Sequence, residues 1–320
     1  MPARAVVCPD SFKGTLTAVE VASALAAGLR AGGAEVVALP AADGGEGTLD
    51  ALGGERRRAV VSGPLGRPVD AEWVLLPDGT AVVEAAQASG LGLVAEAERD
   101  AWAASSRGTG ELVVAAARGG ARSVLVAVGG TATTDGGAGA VAALEEAGVD
   151  VELTVLCDVR TAWEDAARVF GPQKGGDAAT VARLERRLDA LAQAAPRDPR
   201  GVPLTGAGGG LSGGLWAFRG ARLVPGAAHV LDAVRLDAAL AAADLCVTGE
   251  GRLDEQTLEG KVVAEVAGRC ATARVPCHAA VGADALGAEA VGLASVRKAG
   301  DRKALEAAGL ELALELRQSS

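Results

Sequence analysis

The sequence predicts an α/β protein with a largely parallel sheet, and two observations support this prediction. Short runs of Val, Leu and Ala alternate along the chain with Ala-rich segments of helical length. Turns rich in Gly, Asp and Thr stand between them, mostly where a strand ends. Strands that alternate with helices form βαβ units, and sheets of this kind bind ligands outside the carboxyl ends of their strands. Candidate functional residues are therefore expected in the loops that follow strands.

The predicted elements follow this rhythm along the chain. A strand at 4–8 precedes a helix at 15–31, and a strand at 34–39 ends in a glycine-rich loop. Residues 59–84 alternate apolar runs with Gly-Pro and Pro-Asp-Gly turns, so their strands are expected to be antiparallel. The later predicted elements are a helix at 109–118, a strand at 123–128, a helix after 139, a strand at 151–157, a helix at 178–194, a strand at 244–248, a helix from about 257 and a strand at 275–281.

Composition excludes several classes of protein. The 320 residues are 49% hydrophobic, enough for one large core or two ordinary ones. A net charge of −10 with 2% aromatic residues argues against a nucleic-acid partner. No uncharged apolar run approaches the roughly 20 residues that cross a bilayer, and no signal peptide opens the chain, so no membrane partner is expected. Five cysteines without CxxC spacing predict buried, reduced thiols in a cytoplasmic protein.

Lysine is scarce in this chain, and its placement is informative. Of the 31 basic residues only five are lysines, and Lys298 and Lys303 fit an ordinary charged C-terminal helix. Lys13, Lys174 and Lys261 instead stand in segments that carry glycine and acidic residues. Because arginine serves wherever any cation suffices, these three are expected to act as compact, strongly hydrated charges. Chance is the alternative explanation.

General-base chemistry is expected from a carboxylate, because the chain has only two histidines. His229 and His278 lie outside the glycine-rich loops, which argues against His-based triads and His-ligated zinc. Residues 43–48 place two carboxylates among glycines, a combination that suits Mg²⁺ and a close backbone approach. A simple turn is the alternative for this loop.

Three further loops carry candidate binding residues. Residues 129–139 hold five glycines, three threonines and one aspartate between a buried strand and a helix, which is typical of anion binding at a helix N-terminus. Residues 206–214 contain a G-x-G-x-x-G pattern but follow the Pro-rich stretch 196–203 instead of a strand, so a hinge and a phosphate cradle are both open. Residues 248–261 gather acids and cations around glycines directly after a strand.

Lysines, glycine-rich loops and carboxylates without histidine are the groups that phosphoryl transfer needs. Such catalysis depends mostly on positioning and on neutralising charge with Mg²⁺ and cationic side chains. From the residues alone, the chain is predicted to be an enzyme that handles a phosphate or another small anion.

Seven motifs, taken together and in order, resemble the glycerate kinase family of bacterial type, which includes the glycerate kinases of glucarate and glyoxylate metabolism. They are residues 9–14, 42–48, 105–111, 129–139, 170–175, 206–214 and 247–261. The resemblance implies transfer of the ATP γ-phosphoryl group to D-glycerate with Mg²⁺, with 2-phosphoglycerate favoured over 3-phosphoglycerate. It also implies a two-domain α/β fold with the active site in the cleft: a Rossmann- or flavodoxin-like domain at 1–58 and 235–320, and a second α/β domain at 59–234.

The motifs and the resemblance together assign the site residues. The expected catalytic residues are Lys13, Asp43, Asp135 and Lys174, and Asp43, Asp135 and Asp158 are the expected Mg²⁺ ligands. Of Asp43 and Asp135, one is expected to bind the metal and the other to orient or deprotonate the hydroxyl. The expected substrate- and nucleotide-binding residues are Asp10, Ser11, Gly44, Gly45, Glu46, Gly129, Gly130, Thr131, Thr133, Gly136, Gly137, Gly208, Gly209, Glu250, Arg252 and Lys261.

Two alternatives to glycerate phosphorylation stay open. A kinase for another small hydroxy acid would use the same groups, and a non-catalytic sensor of sugar acids would keep the fold. The chain also departs from the family pattern, because it is shorter after Gly139 and beyond residue 282 and lacks an Asn-Pro-Leu-like segment between Asp158 and Phe170. The expected partners are glycerate and ATP, and a homodimer is one expectation for the oligomeric state.

Overall fold

The computed structural model describes residues 2–319, except the side chains of Glu259 and Ser319. The chain divides into two compact units. The first unit comprises Met1–Asp43, Asp50–Leu52 and Ala227–Ser320, and the second comprises Gly44–Leu49 and Gly53–Gly226.

Strands and helices alternate over most of the chain, which confirms the predicted α/β class. The strands of the described part are β1 (Arg4–Val7), β2 (Glu35–Ala38), β3 (Glu55–Ser62), β4 (Pro68–Leu75), β5 (Thr80–Glu84), β6 (Ser123–Ala127), β7 (Glu152–Cys157), β8 (Arg222–Pro225), β9 (Leu245–Leu253), β10 (Cys277–Asp284) and β11 (Ser295–Lys298). The α-helices are α1 (Ala18–Ala31), α2 (Thr48–Leu52), α3 (Ala85–Ser89), α4 (Arg107–Arg118), α5 (Ala138–Glu146), α6 (Ala166–Phe170), α7 (Ala178–Ala194), α8 (Leu211–Arg219), α9 (Gly226–Ala233), α10 (Leu236–Leu240), α11 (Val262–Ala273), α12 (Ala288–Val291) and α13 (Arg302–Ser319).

The first unit is built on a five-stranded parallel sheet in the order β11-β10-β9-β1-β2. Helix α1 begins with a capping box, in which Thr17 accepts the Glu20 amide and Glu20 accepts the Thr17 amide. Helices α1 and α13 pack together, and Gly28 and Gly309 lie where a side chain would meet the backbone of the other helix. The core of this unit contains Val7, Leu25, Leu29, Val247 and Leu305, all fully buried.

The second unit is built on a six-stranded mixed sheet in the order β3-β4-β5-β6-β7-β8. Strands β3, β4 and β5 are antiparallel neighbours, which confirms the prediction for residues 59–84, and β5 to β8 are parallel. Its largest core cluster includes Trp73, Leu112, Val126, Val155 and Leu211.

Several predicted elements differ from the structure. The helix expected from about 257 begins at Val262, because Gly260 takes a φ of 97° and separates a 3₁₀ turn at Glu255–Glu259 from α11. Strand β9 continues five residues past the predicted end at 248, and Lys298 closes a strand instead of lying in a helix. The run at 206–214 contains the start of helix α8 at Leu211. No described helix combines the length and apolar character that crossing a membrane requires.

Candidate functional site

One cavity of the first unit is lined by the loop after β1 and by the end of β9 with the turn that follows it. Its volume is about 460 Å³, within the range of roughly 300–1,000 Å³ that small-molecule sites occupy. The sheet of this unit is parallel, so these loops meet at the carboxyl ends of its strands. The lining residues are Asp10, Ser11, Phe12, Lys13, Thr15, Glu250, Gly251, Arg252, Asp254, Gln256, Lys261, Gly282 and Gly300.

Three predicted cations come together in this cavity. Lys13 and Arg252 are exposed, and Lys261 is half-buried at the N-terminus of α11. The Nζ of Lys261 donates to the side-chain oxygen of Gln256 at 3.4 Å, and the Nε of Arg252 lies 3.2 Å from a carboxylate oxygen of Asp254. Three positive groups around one open cavity concentrate positive charge in a protein of net charge −10, which makes the cavity a candidate site for an anion.

Buried carboxylates lie beside these cations. Asp10, Asp43 and Glu250 are each at most 6% exposed. Burial, aided by the neighbouring Asp43 carboxylate, raises the pKa of Asp10 to about 8, although the Ser11 amide donates to Asp10 at 2.6 Å. Burial also raises the pKa of Glu250, which accepts the Thr257 hydroxyl at 2.6 Å. Adjacent buried acids of this kind suit a divalent cation, or a proton acceptor whose pKa is close to neutrality.

In the second unit the structure brings together the glycines of two predicted loops. Gly44 accepts a hydrogen bond from the Gly129 amide at 3.2 Å, and a side chain added at Gly129 would come 2.7 Å from the Cα of Gly45. The same added side chain would come 3.0 Å from an oxygen of Asp158, so this carboxylate lies close to Gly129. Only glycine permits this approach, and the predicted residues Gly44, Gly45, Gly129 and Asp158 form one cluster.

Lys174 is the buried cation of the second unit. It is 4% exposed, and its Nζ donates to the Thr133 carbonyl at 2.6 Å and to the Thr131 hydroxyl at 3.4 Å. The ring of Phe170 lies 5.7 Å from its Nζ. Burial lowers the pKa of Lys174 to about 8, while the carboxylates of Asp158 and Asp135 oppose that shift. The ammonium group is therefore held in place and is still mostly protonated at neutral pH.

Asp135 holds together the N-termini of two helices. One of its oxygens accepts the Ser106 amide and hydroxyl at 2.8 and 2.9 Å and the Gly139 amide at 3.2 Å, and the other accepts the Gly137 amide at 3.1 Å. Four donors match the roughly four lone-pair positions of a carboxylate. This arrangement favours a positioning role for Asp135, and its predicted role as metal ligand or base stays a prediction.

The glycines at 206–210 pack against the loop that carries Asp135. The Gly208 carbonyl accepts the Thr133 hydroxyl at 3.4 Å, and the Gly209 carbonyl accepts the Gly136 amide at 3.2 Å. A side chain at Gly209 would meet the Thr133 backbone. Close backbone packing thus accounts for these glycines, and their assignment to nucleotide binding stays a prediction.

The remaining predicted residues occupy the same loops. Glu46 and Gly130 are exposed, and Gly136 and Gly137 are buried, with positive φ at the start of α5. Gly136 lies against Trp163 and Leu188.

Sequence reasoning missed four residues beside the candidate site. Ser106 is fully buried on Asp135, and Glu84 is buried and accepts the Leu49 amide at 2.8 Å, which fixes the end of the loop at 43–48. Asp254 and Gln256 orient the cations of the first unit. Ser106, Asp254 and Gln256 fall inside quoted motifs, so their signals were present, whereas Glu84 is an isolated acid at the end of a strand.

Comparisons with known proteins agree with this chemistry. A family model described as the glycerate kinase family matches residues 5–152 and 144–308. The two matched segments overlap at 144–152, in the region where the chain was expected to be shorter than the family pattern.

Two curated relatives and one crystal structure are similar over most of their length. Glycerate 2-kinase of Escherichia coli (strain K12) is 39% identical over 306 residues, covering 82% of this chain and 80% of that protein. Glycerate kinase of Bacillus subtilis (strain 168) is 39% identical over 318 residues, covering 85% and 82%. A crystal structure assigned to a glycerate kinase 2 from Salmonella typhimurium LT2 has a TM-score of 0.85 at 34% identity and covers 100% of this chain and 99% of its own.

Proposed function

The chain belongs to the glycerate kinase family and is a kinase, and from this premise we propose that it transfers the γ-phosphoryl group of ATP to the carbon-2 hydroxyl of D-glycerate. The observation that carries the proposal is the cavity of the first unit, where Lys13, Arg252 and Lys261 surround buried carboxylates. The printed name of the Escherichia coli relative, glycerate 2-kinase, supports carbon 2 over carbon 3. The five free thiols support a reducing compartment such as the cytosol.

The cations of the first unit bind the anionic groups of the reactants. Lys13 contacts the glycerate carboxylate or the transferring phosphoryl group, and Arg252 and Lys261 neutralise further negative charge in the same cavity. A compact ammonium at Lys13 can follow a moving phosphoryl group, whereas a guanidinium is a planar fork suited to a fixed oxyanion. This division of roles explains why lysine is present at residue 13 of an arginine-rich chain.

Mg²⁺ fits the donor set of the first unit. Asp10 and Asp43 are neighbouring, buried carboxylates, and burial together with the nearby Asp43 carboxylate raises the pKa of Asp10. Hard oxygen donors such as carboxylates are what Mg²⁺ prefers. We assign Asp10 and Asp43 to hold the ion, which supplies charge neutralisation for the phosphates when bound.

The proton of the reacting hydroxyl passes to a carboxylate. Glu250 lines the cavity, and its raised pKa moves it towards the range in which a general base works well. Glu250 is thus the proposed acceptor, a role that the sequence alone divided between Asp43 and Asp135. Asp135 keeps the loop at 129–139 in place.

Lys174 acts as the buried cation of the second unit. Its contacts with Thr131 and Thr133 orient the ammonium group, and Asp158 and Asp135 help keep it protonated. A cation held in advance stabilises charge that develops in a transition state without reorganising at that moment. We assign Lys174 to the phosphates of the nucleotide.

A coupled ADP-release assay tests the activity with glycerate, tartronate, lactate and erythronate. The proposal expects the highest kcat/KM for D-glycerate. A clear preference for another acid would make the chain a kinase for that acid, and no ADP release with any of them would favour a non-catalytic sensor.

Product identity tests the reacting hydroxyl. Enolase converts 2-phosphoglycerate directly, whereas 3-phosphoglycerate requires added phosphoglycerate mutase. We expect phosphoenolpyruvate to form at the same rate with and without the mutase. Formation only in its presence would move the reaction to carbon 3.

A further inference from the structure

Three cysteine side chains of the first unit converge on one point away from the cavity described above. Cys246 lies on β9, Cys277 on β10 and Cys270 on α11. All three are buried, and their sulfur atoms lie within 4.8 Å of one another. We propose that these three thiolates form a binding site for a thiophilic d¹⁰ cation, Zn²⁺ or Cu⁺, which links the helix to the two strands.

The topology explains why the sulfur atoms meet. Cys246 and Cys277 are directly opposite each other in the parallel pair of β9 and β10, so their side chains leave the sheet on the same face. Helix α11 packs on both strands, and Cys270 lies in its last turn, on the buried side with Val263, Val266 and Ala267. Three separate elements therefore contribute one sulfur each to a single point.

The spacing of the three sulfur atoms is close to that of a thiolate metal site. A Zn–S bond is about 2.3 Å long, so the sulfur atoms of a tetrahedral site lie about 3.8 Å apart. Sulfur atoms already within 4.8 Å of one another reach that spacing by moving less than about 1 Å each. Isolated buried cysteines behave as small apolar residues, as Cys157 of the second unit does. The chain has five cysteines, and three of them share one point.

The chemistry of the donors selects the class of ion. Thiolates prefer soft or borderline cations such as Cu⁺ and Zn²⁺, and they discriminate against the hard Mg²⁺ that the phosphate chemistry requires. Binding of a cation displaces the protons of the three thiols.

A bound ion would connect elements that also carry residues of the cavity. Strand β9 runs from Cys246 to Glu250 and Arg252, and α11 begins directly after Lys261. A cation held by the three thiolates ties these elements together at their far ends. Because the folded chain holds the three sulfur atoms at one point, the cation would bind it more tightly than the unfolded chain and raise the melting temperature.

The test uses the full chain, reduced, freed of metal with a chelator and kept in saturating Mg²⁺, so that the carboxylates of the cavity are occupied. Co²⁺ is added first as a spectroscopic probe, and Zn²⁺ and Cu⁺ are then titrated in competition with a chromophoric chelator. We expect one equivalent per chain, a Co²⁺–thiolate charge-transfer band, release of protons and a higher melting temperature. Absence of the thiolate band, or no effect of Zn²⁺ and Cu⁺ beyond that of Mg²⁺, would overturn the proposal.

Single variants locate the site. Cys246→Ser, Cys270→Ser and Cys277→Ser should each weaken binding by at least about 100-fold, the upper end of the cost of losing even an outer-shell partner. Cys157→Ser is the matched control, because Cys157 is equally buried but lies in the other unit, and it should bind as the unchanged protein does. Equal affinity in Cys157→Ser and the three cluster variants would refute the assignment. Proton release by the unchanged protein keeps the test decisive if a cluster variant does not fold.

Discussion

Asp10→Asn is expected to make the protein more stable, and increasingly so as pH rises to about 8. Burial beside Asp43 raises the pKa of Asp10 from 3.8 to about 8. The folded protein therefore keeps a proton on Asp10 between these values, whereas the unfolded chain has lost it, so the unfolded state gains stability as pH rises. Below pH 3.8 both states are protonated and Asp10 costs nothing, and above about pH 8 both are ionised and the cost is constant.

The magnitude follows from the width of that window. A shift of about 4 pH units at 1.36 kcal/mol per unit corresponds to a cost on the order of 5 kcal/mol for the ionised carboxylate. Asp10 borders an open cavity that admits water, so we expect the variant to gain about 1–3 kcal/mol in free energy of unfolding at pH 8.5. Asparagine keeps the shape of the side chain and can still accept the Ser11 amide.

The assay is urea unfolding at pH 4, 6, 8 and 9 in the presence of EDTA, so that no divalent cation neutralises the site. Asp150→Asn is the control, because the side chain of Asp150 is fully exposed. We expect the gain of Asp10→Asn to grow from pH 4 to pH 8 and then to level off, and Mg²⁺ to reduce it. A gain that does not change with pH, or a loss of stability at pH 8.5, would refute the reasoning.

Three further variants test individual residues. Lys13→Arg should lower kcat/KM at least about tenfold, which corresponds to about 1.4 kcal/mol of activation free energy, and should leave the melting temperature unchanged. The control is Lys298→Arg, at an exposed lysine at the end of β11, which should leave both quantities unchanged. Near-normal kcat/KM in Lys13→Arg would remove Lys13 from the site. Lys174→Ala should lower kcat about 100-fold with a smaller effect on the KM for glycerate, and a larger effect on KM than on kcat would contradict the role. Because the active form of Lys174 is protonated, the activity of the unchanged enzyme should fall as pH rises through about 8. Ser106→Ala should lower the free energy of unfolding by about 1–3 kcal/mol, because its hydroxyl donates to Asp135 and accepts the Ala140 amide; unchanged stability in urea unfolding would show that Asp135 does not depend on it.

The sequence was sufficient to predict the approximate positions of five strands. Apolar runs of four to eight residues bounded by glycine are strong strand signals, and β1, β2, β6, β7 and β10 lie close to their predicted positions. The start of α11 was predicted too early, because Glu255 and Thr257 are typical of a helix start. The positive φ of Gly260 instead ends a 3₁₀ turn at Glu255–Glu259 and separates it from α11. Strands β8 and β11 are only four residues long and half-buried at most, which leaves little pattern to detect.

The roles of the site residues were harder to predict, because residues of one type have different roles in different surroundings. Asp135 and Asp43 look alike in sequence, each a carboxylate beside glycines, yet Asp135 accepts four hydrogen bonds from nearby groups and Asp43 lies beside another buried acid. The glycines at 206–214 resemble a phosphate loop, and several of them also make close backbone contacts that the sequence does not reveal. Which partner surrounds a carboxylate or a glycine depends on distant segments, and no local pattern contains that information.

Catalytic and structural demands oppose each other in this protein. Asp10, Glu250 and Lys174 are largely buried ionisable groups, and burial shifts the pKa of each towards neutrality. A pKa shifted in this direction means that the surroundings disfavour the charged form of the side chain. A substrate or ion of opposite charge stabilises that charged form, so it binds more strongly than it would at a solvated group. Substitutions that remove these charges should therefore stabilise the empty protein and abolish its function. If the same substitutions only destabilised the fold, these charges would have a structural role. The residues responsible for the kinase chemistry would then lie elsewhere.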